Sequence, residues 1–389
     1  MCLPQQQQQQ QHQFYLRALY VPKIGCSTAA STVHYASSIH QEPQPQHLPG
    51  QTLQQHTSQQ EQQQQQQHGL EGARVLDGKA VALAWSEQLQ QQVPSVSRAL
   101  GRPPGLAVVL VGARPDSMLY VTKKEEACMR IGINCRVIRL PESVSQAQLQ
   151  RAVADVAADA AVDGVLVQLP LPRHLDEEAV MGALDPRKDV DGFHPLNMAC
   201  TAAAVPPCSV CANTSSRMLM RGRARRFVPA TPLGVVELLS RSGVSLAGKT
   251  AVVLGDSNIV GTPLAALLRD EGAALVTICH RPSIHDCCHA SQLPAICRTA
   301  DVLVVAVGSP ELVKGHWVKP GAVVVDVGIN VVPLGDADEG GVGNVSHVEV
   351  AGVASVLTPV PGGVGPMTIA AVLHNTLQAA RYAACMQRW

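Results

Sequence analysis

Three short segments with the character of strands alternate with amphipathic segments in the first half of the chain. The strand-like segments cover Leu106–Val111, Asn134–Leu140 and Val162–Gln168, and each has the length of a strand. Helical periodicity covers Val81–Val93, the segment from Ser117 toward Met129, and Ser145–Ala158. A strand order of this kind, with a helix between successive strands, predicts a parallel sheet with right-handed crossovers.

The same alternation returns in the second half. Four buried strands are predicted at Thr250–Leu254, Ala274–Cys279, Val302–Val307 and Ala322–Val327. Helices are predicted over Thr231–Leu239, from a glycine-containing turn after Leu254 to Asp270, and from Ile369 to about Ala384. A strand, a glycine turn and a helix in succession are typical of a dinucleotide-binding fold.

Residues 1–72 show neither the periodicity of a strand nor that of a helix. Glutamine runs at Gln5–Gln11 and Gln62–Gln67 flank a stretch too poor in apolar residues to form a core, so we expect a disordered extension. No acidic residue precedes Glu42, which is a property of mitochondrial and plastid transit segments. We therefore expect a mitochondrion or plastid as the compartment, and a low-complexity tail on a cytoplasmic protein is the alternative.

The amino-acid composition favours some classes of protein over others. Apolar residues make up 46% and aromatic residues 3%, which suits an α/β protein rich in alanine, valine and leucine. The chain has 30 basic and 30 acidic residues, so its net charge favours neither nucleic acid nor a membrane surface. No run approaches the roughly 18 apolar residues of a membrane span. The 12 cysteines, scattered over 389 residues, favour free thiols in a reducing compartment.

Residues 199–222 interrupt the pattern, and we interpret them as an insertion. Cys208 and Cys211 form a lone CxxC without a second pair, so we expect no zinc there, and no metal site is predicted elsewhere. The arginines at 221, 223, 225 and 226 form a basic cluster without aromatic neighbours, which is typical of a solvated loop.

Polar side chains collect at the carboxyl ends of the first three strands, where parallel sheets bind ligands. Tyr120 and Lys124 are four residues apart and share one face of a helix. Gln168 ends the third strand and offers both a donor and an acceptor. A solvated surface pair and a substrate site both explain the spacing of Tyr120 and Lys124, and the shared rim favours the site.

Asp189 and Asp191 lie beside a glycine turn. A calcium loop would need more oxygen ligands at set spacings, so metal binding is the weaker interpretation. A carboxylate that accepts hydrogen bonds from the N–H groups of a ligand explains this motif better.

The turn after Leu254 begins Gly255, Asp256, Ser257. Glycine there lets backbone N–H groups approach a pyrophosphate at the helix N-terminus, although Ser257 replaces the second glycine of GxGxxG and Gly261 comes one residue late. The next strand leads to Arg281 and not to an acidic residue, which favours the 2′-phosphate of NADP over the free ribose of NAD.

Four motifs occur in an order that resembles one enzyme family. They are Tyr120–Lys124, Val167–Pro172, Asp189–Gly192 and the glycine- and proline-rich stretch Pro361–Thr368. The chain is similar over about residues 73–384 to the bifunctional methylenetetrahydrofolate dehydrogenase/methenyltetrahydrofolate cyclohydrolase family. The resemblance implies NADP-dependent oxidation of 5,10-methylenetetrahydrofolate to 5,10-methenyltetrahydrofolate and hydrolysis of that product to 10-formyltetrahydrofolate. It also implies a homodimer.

The fold class that the resemblance implies is α/β with two domains. Residues 73–196, completed by 366–386, would form an N-terminal βαβ parallel-sheet catalytic domain that binds folate. Residues 197–365 would form a Rossmann-type NAD(P)-binding domain that contains the insertion. The C-terminal helix would return to the first domain.

The resemblance also implies roles for individual residues. Lys124 would be the catalytic lysine, Tyr120 would stack on the folate, Gln168 would hydrogen-bond Lys124, and Asp191 would anchor the pterin-like ring. The further substrate-binding residues would be Ser117, Val167, Leu169, Pro361, Gly362, Gly363, Val364 and Gly365. The cofactor-binding residues would be Gly255, Asp256, Ser257, Arg281 and Ile329.

Two departures from the family pattern concern the cofactor. Asp256 stands where the family has an arginine, and its charge would repel a 2′-phosphate that Arg281 attracts. NADP remains the expected cofactor, with NAD as the alternative. Val342–Ser346 replaces an acidic segment of the family, and we expect this change to loosen the cofactor side.

Two other functions stay open. A different two-domain Rossmann dehydrogenase, acting on a hydroxy or amino acid, would explain the second half but not the motifs at Gln168 and Pro361. A folate- or nucleotide-binding scaffold recruited by the glutamine-rich tail would leave Tyr120, Lys124 and Asp191 without a purpose.

Overall fold

The computed structural model describes residues 72–199, 219–220, 223–224, 227–280, 290–328, 330–333 and 339–386. All but the last residue of the expected N-terminal extension, and most of the expected insertion, lie outside these ranges. Among the described helices, none has the length and apolar character needed to cross a bilayer.

The strands and helices are numbered separately in chain order. The strands are β1 (Arg74–Val75), β2 (Gly105–Val111), β3 (Asn134–Leu140), β4 (Gly164–Val167), β5 (Leu219–Met220), β6 (Arg223–Ala224), β7 (Thr250–Leu254), β8 (Leu275–Cys279), β9 (Val302–Val305), β10 (Val323–Asp326), β11 (Asn330–Pro333), β12 (Glu339–Val342) and β13 (Val356–Leu357). The helices are α1 (Gly78–Gln90), α2 (Val93–Leu100), α3 (Pro115–Ile131), α4 (Gln146–Ala158), α5 (Glu177–Ala183), α6 (Pro195–Ala199), α7 (Ala230–Arg241), α8 (Gly261–Asp270), α9 (Leu293–Cys297), α10 (His347–Ala351) and α11 (Val364–Met386).

The first sheet is parallel and has the order β3-β2-β4. Every residue of the central strand β2 is buried, as expected for a strand covered on both faces. Val108 packs in the same core cluster as Val121 and Cys128 of α3, while Val109 packs in another with Leu149 of α4. Helix α3 therefore covers one face and α4 the other.

The second sheet is parallel and six-stranded, in the order β1-β13-β10-β9-β7-β8. Its first strand, β1, pairs Arg74 with Val356 and Val75 with Leu357. Residues 74–75, which were expected to belong with residues 73–196, therefore pair in the sheet formed by the second half of the chain. Strands of two residues are too short to produce a detectable period, so neither β1 nor β13 was predicted.

Helix α11 connects the two halves of the molecule. Its buried side chains share one core cluster with residues of α1, α3 and α7. Asn375 is only 2% exposed, and its Nδ2 donates to the carbonyl oxygens of Val190 at 2.8 Å and Val228 at 3.0 Å. One buried amide thereby satisfies backbone groups at the end of the first half and the start of the second.

Several element boundaries differ from the predicted ones. The C-terminal helix begins at Val364 and not at Ile369, because Pro366 falls in its first turn, where a missing N–H costs nothing. The helix predicted over Val81–Val93 is α1, which has the same length but begins and ends three residues earlier, and α2 begins at Val93, where the predicted helix ends. Short elements such as α5, α9, α10 and the β11–β12 hairpin were not predicted.

Candidate active site

Lys124 lies on the buried face of α3, below the rim of the first sheet. Val121, Lys124 and Cys128 follow each other at spacings of three and four residues and are all buried. Lys124 is 7% exposed, and among the described residues it has no carboxylate partner within 4.0 Å. A buried lysine without an ion pair is costly for folding, which favours a functional role.

Gln168 provides the hydrogen-bond partner of this lysine. The Lys124 Nζ donates to Gln168 Oε1 at 2.9 Å, as predicted, while Gln168 Nε2 donates to the carbonyl oxygen of Leu169 at 2.8 Å. Strand pairing continues to this residue, since its N–H donates to Val109 at 2.8 Å. Because its amide nitrogen is engaged, Gln168 presents its oxygen to Lys124.

The two aspartates of the next motif differ in their surroundings. Asp189 accepts from the N–H groups of Gly192, Phe193 and His194 and from Asn197 Nδ2, at 2.8–3.2 Å. Its carboxylate therefore holds the turn together. Asp191 is 8% exposed, and no described residue donates a hydrogen bond to its carboxylate. Only Asp191 is free to bind a ligand.

The pKa of Asp191 reflects this burial. Loss of solvent raises the pKa to about 6, the positive charge of Lys124 acts against the rise, and the negative charge of Asp189 adds to it. The influence of Lys124 shows that both charges belong to one site. The backbone from Lys188 to Val190 runs beside β4, which brings Asp191 to the strand end where Gln168 lies.

Tyr120 lies one helical turn before Lys124 and is half-buried. Burial raises the pKa of its phenol, and the nearby charge of Asp116 raises it further, so the hydroxyl stays protonated at neutral pH. Ser117 is 4% exposed in the first turn of the same helix. At the end of β4, Val167 is buried and Leu169 half-buried.

The Pro361–Gly365 segment lies across from Tyr120. A Cβ on Gly78, at the start of α1, would overlap the carbonyl group of Gly363, so the segment packs directly on that helix. Pro361, Gly362 and Gly365 line a cavity together with Tyr120. Gly363 and Val364 are buried and are not among its lining residues.

This cavity has a volume of about 370 Å³ and lies between α1, α3 and the start of α11. Lys124, Gln168 and Asp191 are not among its lining residues, so it extends from the opposite side of Tyr120. The site thus has two parts, a buried polar group and an open cavity, with Tyr120 between them.

The dinucleotide turn follows β7 at Gly255, which has a φ of +106°. A Cβ on Gly261 would overlap the Gly255 carbonyl group, so α8 approaches the turn closely. Helix α8 has no side-chain cap at its N-terminus, but the Thr262 N–H donates to the Ser257 carbonyl at 3.2 Å and Pro263 has no N–H, so an anion would depend chiefly on the backbone of the glycine turn. The turn fits a pyrophosphate. Asp256 and Ser257 are exposed beside it.

Comparison with known proteins agrees with this geometry. A family model for the catalytic domain of tetrahydrofolate dehydrogenase/cyclohydrolase matches residues 76–191, and one for its NAD(P)-binding domain matches residues 229–384. The bifunctional protein FolD of Acidiphilium cryptum is 49% identical over 79% of this chain and 98% of its own length. The chain belongs to the tetrahydrofolate dehydrogenase/cyclohydrolase family.

Two further family members extend the comparison. The chloroplastic bifunctional protein FolD 4 of Arabidopsis thaliana is 45% identical, over 80% of both chains. The FolD crystal structure from Trypanosoma brucei, complexed with NADP cofactor and inhibitor, is 37% identical, covers 80% of this chain and 98% of its own, and gives a TM-score of 0.71. The family and the α/β class inferred from the motifs are thereby confirmed.

Two of the expected cofactor residues, Arg281 and Ile329, lie outside the described residues. The described part of the chain also contains no group of three or more His, Cys, Asp or Glu side chains that could hold a metal ion.

Buried hydrogen bonds hold the Val342–Ser346 segment in place, and its expected effect on the cofactor side stays a prediction. Asn344 is fully buried, its Nδ2 donates to the carbonyl of Val305 at 3.1 Å, and its Oδ1 accepts from the N–H of Ser309 at 3.2 Å. Asp326 accepts from the N–H of Val345 at 2.9 Å. The amide of Asn344 therefore ties the Val342–Ser346 segment to β9, and the carboxylate of Asp326 ties it to β10.

Some residues of the site were missed in the sequence. The cavity includes Lys79, Lys123 and Arg130, none of which belongs to a motif. The spacing of Lys123 and Arg130 from Tyr120 was the available signal, since all three fall on one helical face. Gly78 gave no signal, because only the fold brings it against Gly363.

Proposed function

We propose that this protein oxidises 5,10-methylenetetrahydrofolate to 5,10-methenyltetrahydrofolate with NADP and hydrolyses the product to 10-formyltetrahydrofolate. The observation that most directly supports this proposal is the partly buried hydrogen bond from Lys124 to Gln168, beside the unpaired carboxylate of Asp191. Family membership supports both steps and accounts for the motifs that a hydroxy- or amino-acid dehydrogenase or a binding scaffold leaves unexplained.

The first step transfers a hydride from the methylene bridge to the cofactor, whose nicotinamide supplies the acceptor when it is bound. The methenyl product is a cation, so the protein does not have to remove a proton. The protein therefore has to hold the methylene bridge of the substrate in the correct position against the cofactor. Asp191 would accept hydrogen bonds from the N–H groups of the pterin, and Tyr120 would lie against the ring system of the folate.

The second step adds water to the methenyl carbon and opens the ring. The attacking water must lose both of its protons, one as it bonds to the methenyl carbon and one as the formyl C=O forms, while the leaving ring nitrogen gains one proton and the other is released to solvent. Lys124 is the buried basic side chain of this group, and it would accept a proton from the water and deliver one to the ring nitrogen. Gln168 would hold the Lys124 nitrogen in place by the 2.9 Å hydrogen bond.

The purified full chain tests both steps directly. With 5,10-methylenetetrahydrofolate and NADP we expect the absorbance of NADPH to appear, and with 5,10-methenyltetrahydrofolate alone we expect the methenyl absorbance to decay faster than in buffer. Ring opening without NADPH formation would leave only the cyclohydrolase. Absence of both signals in a folded sample would refute the proposed function.

NADP is the proposed cofactor, and NAD is the alternative because of Asp256. The family has an NAD(P)-binding domain, and the T. brucei relative was solved with NADP. The fit of the turn at Gly255 and Gly261 to a pyrophosphate supports a dinucleotide but does not distinguish the two. Steady-state rates with each cofactor distinguish them.

We also propose a homodimer. Strand β8 is an edge of the second sheet, and its Leu275 and Ile278 are 56% and 39% exposed. A second copy would cover this apolar edge, and exposed sheet edges without such protection tend to associate. Light scattering of the purified chain should give twice the monomer mass of 41.1 kDa.

An organelle, either mitochondrion or plastid, is the proposed compartment. The absence of acidic residues before Glu42 and the chloroplastic A. thaliana relative support it. A fluorescent protein fused behind residues 1–72 should enter the organelle, and a diffuse cytoplasmic signal would favour the alternative.

A further inference from the structure

Two cysteines face each other where helix α3 meets strand β3. Cys128 lies near the C-terminal end of α3 and is fully buried, and Cys135 is the second residue of β3 and half-buried. Both thiols are free, and Cys135 packs against the core cluster that contains Cys128. Strand β3 is an edge of the first sheet, so a small molecule can approach Cys135 from solvent.

The backbone brings the two residues together. The N–H groups of Gly132 and Ile133 both donate to the carbonyl oxygen of Cys128 at 3.0 Å, and Gly132 has a φ of +88°. A glycine in this conformation ends a helix and turns the chain back. The strand therefore starts beside the last turn of α3, and the turn itself sets Cys135 against Cys128.

The two thiols differ in how easily they ionise. Hydrogen bonding with Cys128 lowers the pKa of Cys135 and outweighs the effect of burial, and the positive charge of Lys124 also favours the thiolate. The same hydrogen bonding, together with burial, raises the pKa of Cys128. The pair thus combines an accessible nucleophile with a protonated thiol beside it, which is the arrangement that oxidation to a disulfide requires.

A second pair of thiols, in the other half of the molecule, shows the contrast. Cys279 and Cys297 are both buried. Burial raises the pKa of Cys279, and it raises the pKa of Cys297 to about 12. Neither thiol ionises readily at neutral pH, so this pair has no nucleophile to start an oxidation.

We propose that Cys128 and Cys135 are a redox modification site, at which a peroxide converts the two thiols into a disulfide that slows the cyclohydrolase step. The Cys135 thiolate attacks one oxygen of the peroxide, so an S–O bond forms, the O–O bond breaks, and the leaving hydroxide takes up a proton to become water. The Cys128 sulfur then attacks the Cys135 sulfur. The S–S bond forms, the S–O bond breaks, and the Cys128 proton leaves with the hydroxyl group as a second water. The two sulfurs lose two electrons, which reduce the peroxide.

The effect on the cyclohydrolase follows from the position of Lys124, whose role rests on the function proposed above. Lys124 lies one helical turn before Cys128 on the buried face of α3, and its charge acts on both thiols. A covalent bond between sulfurs is shorter than the contact between two thiols, so the disulfide draws the end of α3 toward β3. A displacement of about 1 Å can lower a catalysed rate by about 100-fold.

The first measurement detects the disulfide in the full chain. Trypsin cleaves after Lys124, Arg130 and Arg136, so Cys128 lies in peptide 125–130 and Cys135 in peptide 131–136. The protein is treated briefly with hydrogen peroxide, its remaining thiols are blocked, and it is digested without reductant. Mass spectrometry should show the two peptides joined and lighter than their sum by two hydrogen atoms. Dithiothreitol should separate them, and peroxide should leave Cys279 and Cys297 reduced.

The second measurement follows methenyl hydrolysis on the same samples. We expect peroxide to lower kcat by about 10-fold, and dithiothreitol to restore it, since a disulfide is reversible. Cys135→Ser should hydrolyse at the normal rate and lose this sensitivity, because serine is similar in size but cannot form a disulfide. The control Cys208→Ser/Cys211→Ser removes another pair of cysteines that are close in sequence, and it should remain sensitive.

Peroxide-treated protein without the joined peptides would overturn the proposal. Full peroxide sensitivity of the folded Cys135→Ser variant would overturn it as well, because another thiol would then be responsible. Joined peptides with an unchanged rate would refute the effect on Lys124. A chain that hydrolyses no methenyl substrate before treatment would refute the proposed function, and the peptide measurement would still decide whether the disulfide forms.

Discussion

The two ends of the proposed site would recognise their ligands by different means. At the first sheet, side chains define the site, since Lys124, Gln168 and Asp191 are held by burial and by one hydrogen bond. At the second sheet, the backbone defines it, since Gly255 and Gly261 bring the turn and the helix N-terminus together.

The difference predicts how each end responds to substitution. When a buried side chain that transfers a proton or carries a charge is substituted, no neighbouring side chain can take over its role. We therefore expect a large loss of activity. A backbone N–H survives the replacement of its own side chain, so exposed residues of the dinucleotide turn should adjust specificity and not abolish it. Three substitutions test this contrast, in order of decreasing effect.

Lys124→Met should abolish the cyclohydrolase. Methionine fills a similar volume but cannot transfer a proton, and proton transfer contributes roughly 10²–10⁴-fold to rates. We therefore expect methenyl hydrolysis to fall by about 1,000-fold and the dehydrogenase, which needs no proton transfer, to fall less. Both rates are followed by absorbance on the same protein sample.

The matched control is Lys249→Met, which removes an exposed lysine that precedes β7. It should leave both rates unchanged. If Lys124→Met opens the methenyl ring at nearly the wild-type rate while remaining folded, Lys124 is not the proton carrier.

Asp191→Asn should lower kcat/KM of the dehydrogenase by about 100-fold, because the negative charge is lost and an NH₂ donor replaces one of the two oxygens that would accept from ligand N–H groups. The same replacement tests the pKa. With the pKa of Asp191 raised to about 6, kcat/KM of the wild type should fall as the pH drops below 6, and the variant should lose this pH dependence. A variant with wild-type activity would contradict the assignment of Asp191 as the pterin anchor.

The stability of Asp191→Asn should change in the opposite sense. A raised folded pKa means that the protonated carboxyl stabilises the protein at low pH, and that this contribution is lost as the pH rises from 3.8 through 6. Ionisation in the folded state then costs about 3 kcal/mol at neutral pH. Urea denaturation should therefore show the variant to be more stable than the wild type at pH 7.5, by an amount that shrinks toward pH 4.

The contrast between a site made of side chains and one made of backbone also explains which features of the protein could be predicted from its sequence. The strands of four or more residues in the two parallel sheets and the helices of ten or more residues were located from their periodicity, and β3 and β7 agree with prediction at both ends. The parallel strand order placed Lys124 and Gln168 on one rim, and the family resemblance implied the hydrogen bond between them. The order of the four motifs then indicated the family.

Contacts between distant segments were not predictable. Nothing near Arg74 indicates that it pairs with Val356, and nothing near Gly78 indicates the close approach of Gly363. The separate tasks of Asp189 and Asp191 depend on which carboxylate the folded turn captures. A backbone-defined site such as the turn at Gly255 leaves a weaker trace in the sequence than a site made of charged side chains.

Asp256→Arg should have the smallest effect of the three and should act on cofactor choice. Asp256 is exposed beside the dinucleotide turn, where an anion repels a 2′-phosphate and a cation attracts it. Solvent screening limits the gain, so we expect the ratio of kcat/KM for NADP to that for NAD to rise by about 10-fold. Steady-state rates with both cofactors measure the ratio, and added salt should reduce the change.

The control for Asp256→Arg is Asp155→Arg, the same change of charge on the exposed surface of α4, which should leave the ratio unaltered. Asp256→Asn should give an intermediate ratio, since it removes the repulsion without adding an attraction. A wild-type protein that strongly prefers NAD would show that Asp256 outweighs Arg281. A ratio that does not move in Asp256→Arg would show that the 2′ position lies beyond the reach of this side chain, and the turn would then recognise only the pyrophosphate through its backbone.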